Sequence, residues 1–81
     1  MNLYCFAVLF ERHYGNQLQT KLSSGCTTGT DPEQVKGWVF SNAEKEGELG
    51  EWAIRNLQVT QIGDRATAIA FQEWKARQEG A

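Results

Sequence analysis

The residues of this chain best suited to chemistry are two thiols and one imidazole, Cys5, Cys26 and His13. A nucleophilic site would need a cysteine within hydrogen-bond reach of the histidine. A redox site would need the two cysteines side by side. One histidine without paired-cysteine spacing is too small a ligand set for zinc, so we expect neither a metal nor a cofactor.

A β-hairpin decides which of these side chains can meet. Gly15-Asn16 joins an apolar run to an alternating one, and such a pair predicts a two-residue turn. The resulting register places Cys5 opposite Cys26 and His13 opposite Leu18. Leu18 and Cys26 are then roughly 26 Å apart at ~3.3 Å per residue, which rules out a Cys–His nucleophile. The cysteines are expected to be two small buried thiols, and whether they ever bond is left open.

The small-residue segment 25–30 precedes a predicted helix and resembles a phosphate-binding loop at first sight. Such a loop needs a lysine followed by serine or threonine at the helix start, whereas this chain has Asp31 and Pro32. Asp31 would put a negative charge where a phosphate lies. We interpret the segment as a turn and a helix cap, and we expect no enzymatic activity and no catalytic residues.

Four carboxylates cluster at Glu44, Glu46, Glu48 and Glu51. Their spacing across a helix end forms no acid–base pair, and the helix dipole disfavours anions at that end. The cluster is either a solvated acidic edge or a patch that binds a basic partner protein, because complementary charge speeds and orients docking.

The first strand is apolar on both faces, which predicts cover on both sides. Alternation assigns Tyr4, Phe6, Val8 and Phe10 to one face and Leu3, Cys5, Ala7 and Leu9 to the other. The aromatic face has three candidate roles. In the first, the C-terminal helix covers it, with Phe71 and Trp74 packed on Phe6 and Phe10. In the second, it is a dimer or partner interface. In the third, Tyr4, Phe6 and Phe10 stack nucleic-acid bases.

Two helices and a third strand complete the pattern. Asp31 and Pro32, or a Thr30–Glu33 capping box, begin the first helix, which is predicted to end at Gly47. Its apolar stripe consists of Val35, Trp38, Val39 and Ala43.

Residues 52–62 predict a third strand with a bulge near Arg55–Asn56, because its apolar residues change phase there. Asp64 then caps a helix over residues 65–78. The rival interpretation is a fourth strand over residues 65–71, which Ala66, Ala68 and Ala70 disfavour.

These elements predict one α+β domain over residues 1–81, in the order β-β-α-β-α. The three-stranded antiparallel sheet has strand order 2-1-3, which puts the most apolar strand in the middle.

Charge and hydropathy limit the classes of partner that this chain is expected to bind. The net charge is −2 and the lysines and arginines are scattered, so the basic footprint of a nucleic-acid binder is missing. The N-terminus lacks the plan of a signal peptide, and no stretch approaches the ~18 apolar residues of a membrane span. We expect a cytoplasmic protein with no membrane partner.

In size, acidity and compactness, the whole chain resembles small accessory proteins of bacteriophages and mobile elements, anti-CRISPR proteins among them. The resemblance implies a host-cytoplasmic inhibitor of a host or defence complex, and it transfers no functional residue.

The leading hypothesis is a non-enzymatic protein that binds another protein. A nucleic-acid-binding module and a self-associating subunit, such as a homodimer, are the alternatives. The candidate partner-binding residues are Tyr4, Phe6, Phe10, Glu44, Glu46, Glu48 and Glu51.

Overall fold

The computed structural model describes residues 1–80 and confirms the predicted α+β fold. The elements are β1 (Asn2–Tyr14), β2 (Gln17–Gly29), α1 (Pro32–Gly50), β3 (Ala53–Gln61) and α2 (Arg65–Glu79). The three strands form one sheet in the order β2-β1-β3, and β1 is antiparallel to both neighbours. No helix within residues 1–80 is long and apolar enough to cross a lipid bilayer.

The hairpin has the predicted turn and register. Gly15 adopts a φ of 62°, a left-handed conformation that glycine adopts without steric cost. Cys5 therefore faces Cys26, and His13 faces Leu18 near the turn.

The predicted bulge is confirmed at Arg55. Leu9 pairs with Asn56 whereas Phe10 pairs with Ile54, so the β3 register shifts by one residue between them. This shift brings apolar residues of opposite phase onto one face, since Ile54 and Leu57 both pack against the same core.

Helix α1 begins as predicted and ends later than predicted. The Asp31 side chain accepts a hydrogen bond from the Glu33 backbone N–H at 3.0 Å, and Pro32 is the first helical residue. The helix passes through Gly47 and ends at Gly50, with Glu51 in the left-handed conformation. Gly47 serves close packing instead, because a Cβ there would lie 2.7 Å from the Trp52 carbonyl oxygen.

The aromatic face of β1 was expected to lie beneath the C-terminal helix, and this prediction was wrong. The core cluster joins β1 to α1, not to α2, and consists of Tyr4, Val8, Phe10, Val35, Val39 and Ala43. The α1 side chains in this cluster are no larger than valine and pack on bulky rings, whereas the opposite sheet face carries the small, buried Ala7 and α2 contributes the large, buried Phe71. Large residues packed on small ones fill both layers.

Helix α2 crosses the opposite face of the sheet. Lys75 Nζ lies 3.4 Å from Ser24 Oγ, and Ser24 is the cross-strand partner of Ala7 on that face. Asp64 caps the helix by accepting hydrogen bonds from Thr67, so the alternative of a fourth strand is wrong. Phe71 is the one buried side chain of α2, which makes α2 the more lightly anchored helix.

Candidate functional site

The structure separates the seven candidate partner-binding residues into three places. Tyr4 and Phe10 are 1% and 0% exposed and lie in the core beneath α1. Their proposed role on an accessible aromatic surface is corrected, because α1 covers the rings that a base or a partner would have to contact.

Phe6 is half-buried at one flank of α1. Its ring meets Trp38 edge to face, with centroids 6.1 Å apart, and it lies against Gly25, where a Cβ would come within 2.9 Å of Phe6 Cζ. Trp38 was predicted to be buried and is 51% exposed. It lies about 100° around the helix from Val39, at the border of the buried stripe.

Glu46 lies on this same flank, which faces β2, and it has a partner. Its Oε1 is 3.3 Å from Lys21 Nζ. Lys21 also lies 5.2 Å from the ring centroids of both Phe10 and Trp52. Glu46 is thereby separated from the other three glutamates and paired with a lysine, a long-range contact that sequence spacing does not reveal.

An arginine that sequence reasoning did not single out fixes the end of α1. Arg12 donates a hydrogen bond to the Gly50 carbonyl oxygen at 2.8 Å, and its guanidinium lies 4.1 Å from the Trp52 ring centroid. Its Nε donates to Gln19 Oε1 at 2.9 Å. These contacts hold the α1–β3 connection against the hairpin and so position Glu51.

The other flank of α1 forms a groove against β3. Two adjacent hollows of about 400 and 440 Å³ share Phe40 as a common wall, and Phe40 is 46% exposed. Apolar residues of β3 lie beneath and carboxylates line the helix side. We call this the α1–β3 groove; its residues are Glu33, Lys36, Gly37, Phe40, Glu44, Gly47, Glu48, Glu51, Trp52, Ala53, Ile54 and Leu57.

The groove has more carboxylates than cations, and its carboxylates form no ion pair within residues 1–80. Within residues 1–80, the ion pairs are Lys21–Glu46 and Arg55–Glu11, and neither involves a carboxylate of the groove. Lys36 is the one basic residue among the side chains that line the two hollows. Glu48 and Glu51 also lie at the C-terminal, electronegative end of α1, and Glu44 lies one turn before Glu48.

The thiols and the imidazole are arranged as the hairpin register requires. Cys5 Sγ and Cys26 Sγ are 2.8 Å apart and both cysteines are free. The expectation that both thiols are buried was wrong, because Cys26 lies on the outer strand β2 and is exposed, and Cys5 is only partly buried. His13 is exposed near the hairpin turn, remote from both thiols along the strands. Residues 1–80 contain no group of three or more His, Cys, Asp or Glu side chains placed to hold a metal ion.

Cys5 and Asp64, which both lie outside the groove, have shifted pKa values. Burial raises the pKa of the Cys5 thiol to about 11, and the neighbouring Cys26 thiol adds to the effect. The hydrogen bond from the Thr67 backbone N–H lowers the pKa of Asp64, as expected for a helix cap.

Comparisons with protein families, with curated proteins and with solved structures each return no match for this chain. The function of the groove is therefore inferred from its residues alone.

Proposed function

We propose that this protein acts without catalysis by binding another protein, and that the α1–β3 groove receives a basic segment of that partner. The observation that carries the proposal is the set of three unpaired carboxylates, Glu44, Glu48 and Glu51, beside the half-exposed ring of Phe40. A segment with an apolar residue next to lysine or arginine matches both features.

The carboxylates lower the stability of the helix that carries them. Glu44 and Glu48 are four residues apart, so their like charges repel on one helix face. Glu48 also lies in the last turn of α1, which contains no basic residue. A negative charge there costs about 0.3–1 kcal/mol. Side chains that oppose stability are common at functional surfaces, and a basic partner would relieve both penalties.

The apolar part of the groove would supply binding energy. Phe40 offers an aromatic ring above Ile54 and Leu57 of β3, and aromatic side chains in shielded pockets contribute most to many interfaces. The acidic rim would supply orientation and a fast association rate. The site thus has the usual anatomy of a protein interface, an apolar centre with a charged border.

A basic target surface suggests what binding would achieve. Proteins use clustered lysine and arginine to hold nucleic-acid phosphates, and an acidic protein seated on such a surface would exclude the nucleic acid. The protein would then act as an inhibitor. Its resemblance to phage accessory proteins favours a host or defence complex as the target.

The burial of Tyr4 and Phe10 and the acidity of the groove both argue against the nucleic-acid alternative. Self-association through an outer strand of the sheet is distinguished by the molar mass of the purified chain in solution, which light scattering measures and which a homodimer would double.

The test is capture of partners from a bacterial lysate by the tagged protein, with and without nuclease, read by mass spectrometry. Three baits are compared: the native chain, the double variant Glu44→Lys/Glu48→Lys, and the double variant Glu73→Lys/Glu79→Lys. The second pair lies exposed on α2 and changes the net charge equally, so it controls for charge alone.

We expect a stoichiometric, nuclease-resistant protein partner that the Glu44/Glu48 variant loses and the Glu73/Glu79 variant retains. Equal recovery by both variants would contradict the groove as the binding site. Recovery that disappears with nuclease would favour nucleic-acid binding instead.

A further inference from the structure

The two cysteines meet on the face of the sheet opposite the groove. They are 21 residues apart in sequence, and the hairpin register brings them into direct opposition towards the open end of the β1–β2 pair. Their Sγ atoms are 2.8 Å apart. A bond of about 2.05 Å therefore requires the sulfurs to approach by roughly 0.8 Å.

The two thiols differ in access and protonation. Cys26 lies on the outer strand β2 and is exposed, whereas Cys5 lies on the central strand and is partly buried. Burial raises the pKa of Cys5 to about 11, so that thiol holds its proton at neutral pH. An oxidant in solution would react with Cys26 first, and Cys5 would then react with the oxidised Cys26.

We infer that Cys5 and Cys26 form a site of reversible oxidation whose co-reactant is a low-molecular-weight disulfide. The Cys26 thiolate attacks one sulfur of the small disulfide, forms a mixed disulfide and releases the first small thiolate. The Cys5 thiol gives its proton to that thiolate and attacks Cys26 Sγ. This step forms the Cys5–Cys26 bond and expels the second small thiolate, which takes up the proton that Cys26 lost on ionisation. Two protein thiols are oxidised and one small disulfide is reduced to two thiols.

The fold favours this bond over competing products. The β1–β2 hairpin holds the sulfurs together, and the unfolded chain would have to close the intervening loop to do the same. Lys75, which reaches across from α2 to Ser24, places a positive charge close enough to Cys5 to offset part of its raised pKa. A cation near a reacting thiol favours the thiolate.

The site is independent of the proposed function. Cys5 shares the sheet face of Ala7 and Leu9 beneath α2, and the α1–β3 groove lies on the other side of the sheet. A Cys5–Cys26 disulfide would covalently link β1 to β2, and it would not contact the groove residues.

The test equilibrates the full-length protein with mixtures of reduced and oxidised glutathione at neutral pH. Acid quenching and alkylation of the remaining thiols are followed by intact-mass measurement. The same titration is repeated in concentrated urea, where the hairpin is lost, so the native sequence provides its own control. We expect an intramolecular disulfide in the folded protein, with a formation constant on the order of 100-fold higher than in urea.

Two variants separate the roles of the thiols. Cys5→Ser should accumulate a single glutathione adduct on Cys26, because the resolving thiol is gone, and Cys26→Ser should react more slowly. The inference is overturned if the folded native protein keeps both thiols under conditions that oxidise it in urea. It is also overturned by separate glutathione adducts on the two cysteines, or by a covalent dimer as the main product.

Discussion

The sheet-facing side and the β3-facing flank of α1 differ sharply in what they contact. On the sheet-facing side, Val35, Val39 and Ala43 are at most 6% exposed and pack on the rings of β1. On the other flank, Phe40 is 46% exposed and its neighbouring carboxylates have no ionic partner within residues 1–80. One helix therefore secures the fold on one side and presents a charged, aromatic groove on the other, so substitutions on the two sides should have separable effects.

The largest expected effect lies beneath the sheet-facing side. Phe10→Ala removes a ring that is 0% exposed and should lower the free energy of unfolding by about 3–5 kcal/mol, most of the stability available to so small a domain. Urea denaturation followed by tryptophan fluorescence measures this. A loss below about 1 kcal/mol would mean that α1 does not rest on this ring.

A matched pair of glycine substitutions within α1 tests the close approach of the helix to its own C-terminal connection. Gly47→Ala should lower stability by about 1–3 kcal/mol, because the new Cβ would lie 2.7 Å from a backbone oxygen that cannot easily move. Gly37→Ala, with nothing within 4 Å of the new Cβ, should raise stability by about 0.5–1 kcal/mol. Thermal unfolding of both variants decides the point, and effects of equal sign would refute the assignment.

Phe40→Ala should separate binding from stability. Because the ring is half exposed, its loss should cost about 1 kcal/mol or less in the free energy of unfolding. Affinity for the captured partner should fall at least about tenfold, as measured by calorimetric titration. A stability loss equal to that of Phe10→Ala would place Phe40 in the core, and unchanged affinity would remove it from the interface.

The smallest expected effect is an increase in the free energy of unfolding. Glu48→Gln removes a charge that repels Glu44 and the negative end of the helix, so stability should rise by about 0.3–1 kcal/mol at low ionic strength. The gain should shrink with added salt, because exposed charges are screened. Urea denaturation at low and high salt measures both; a destabilised variant would indicate that Glu48 has a stabilising contact.

Local chemistry made much of this fold predictable. The Gly15-Asn16 turn set the register that joins Cys5 to Cys26, and the phase change in β3 located the bulge at Arg55. The caps at Asp31 and Asp64 could be predicted because a short polar side chain before a helix accepts hydrogen bonds from the free N–H groups of the first helical turn.

Long-range packing was not predictable in the same way. Periodicity defines the apolar face of a helix but not the sheet face that it covers, so the aromatic face was expected beneath α2, whereas α1 covers it. Glu46 looked equivalent to Glu44 along the chain until the fold placed Lys21 beside it. The groove depends on how α1 lies against β3, and no local signal in the sequence reports that.

The central claim is that the carboxylates of the α1–β3 groove, which form no ion pair within residues 1–80, bind a basic protein partner. The most direct measurement is the affinity of the purified partner for the native chain, for Glu44→Lys/Glu48→Lys and for Glu73→Lys/Glu79→Lys, at low and moderate salt. We predict an affinity loss of at least about 100-fold for the groove variant, as for reversed charges in a complementary interface, and near-native binding for the α2 variant. Equal affinities for the two variants would contradict the claim.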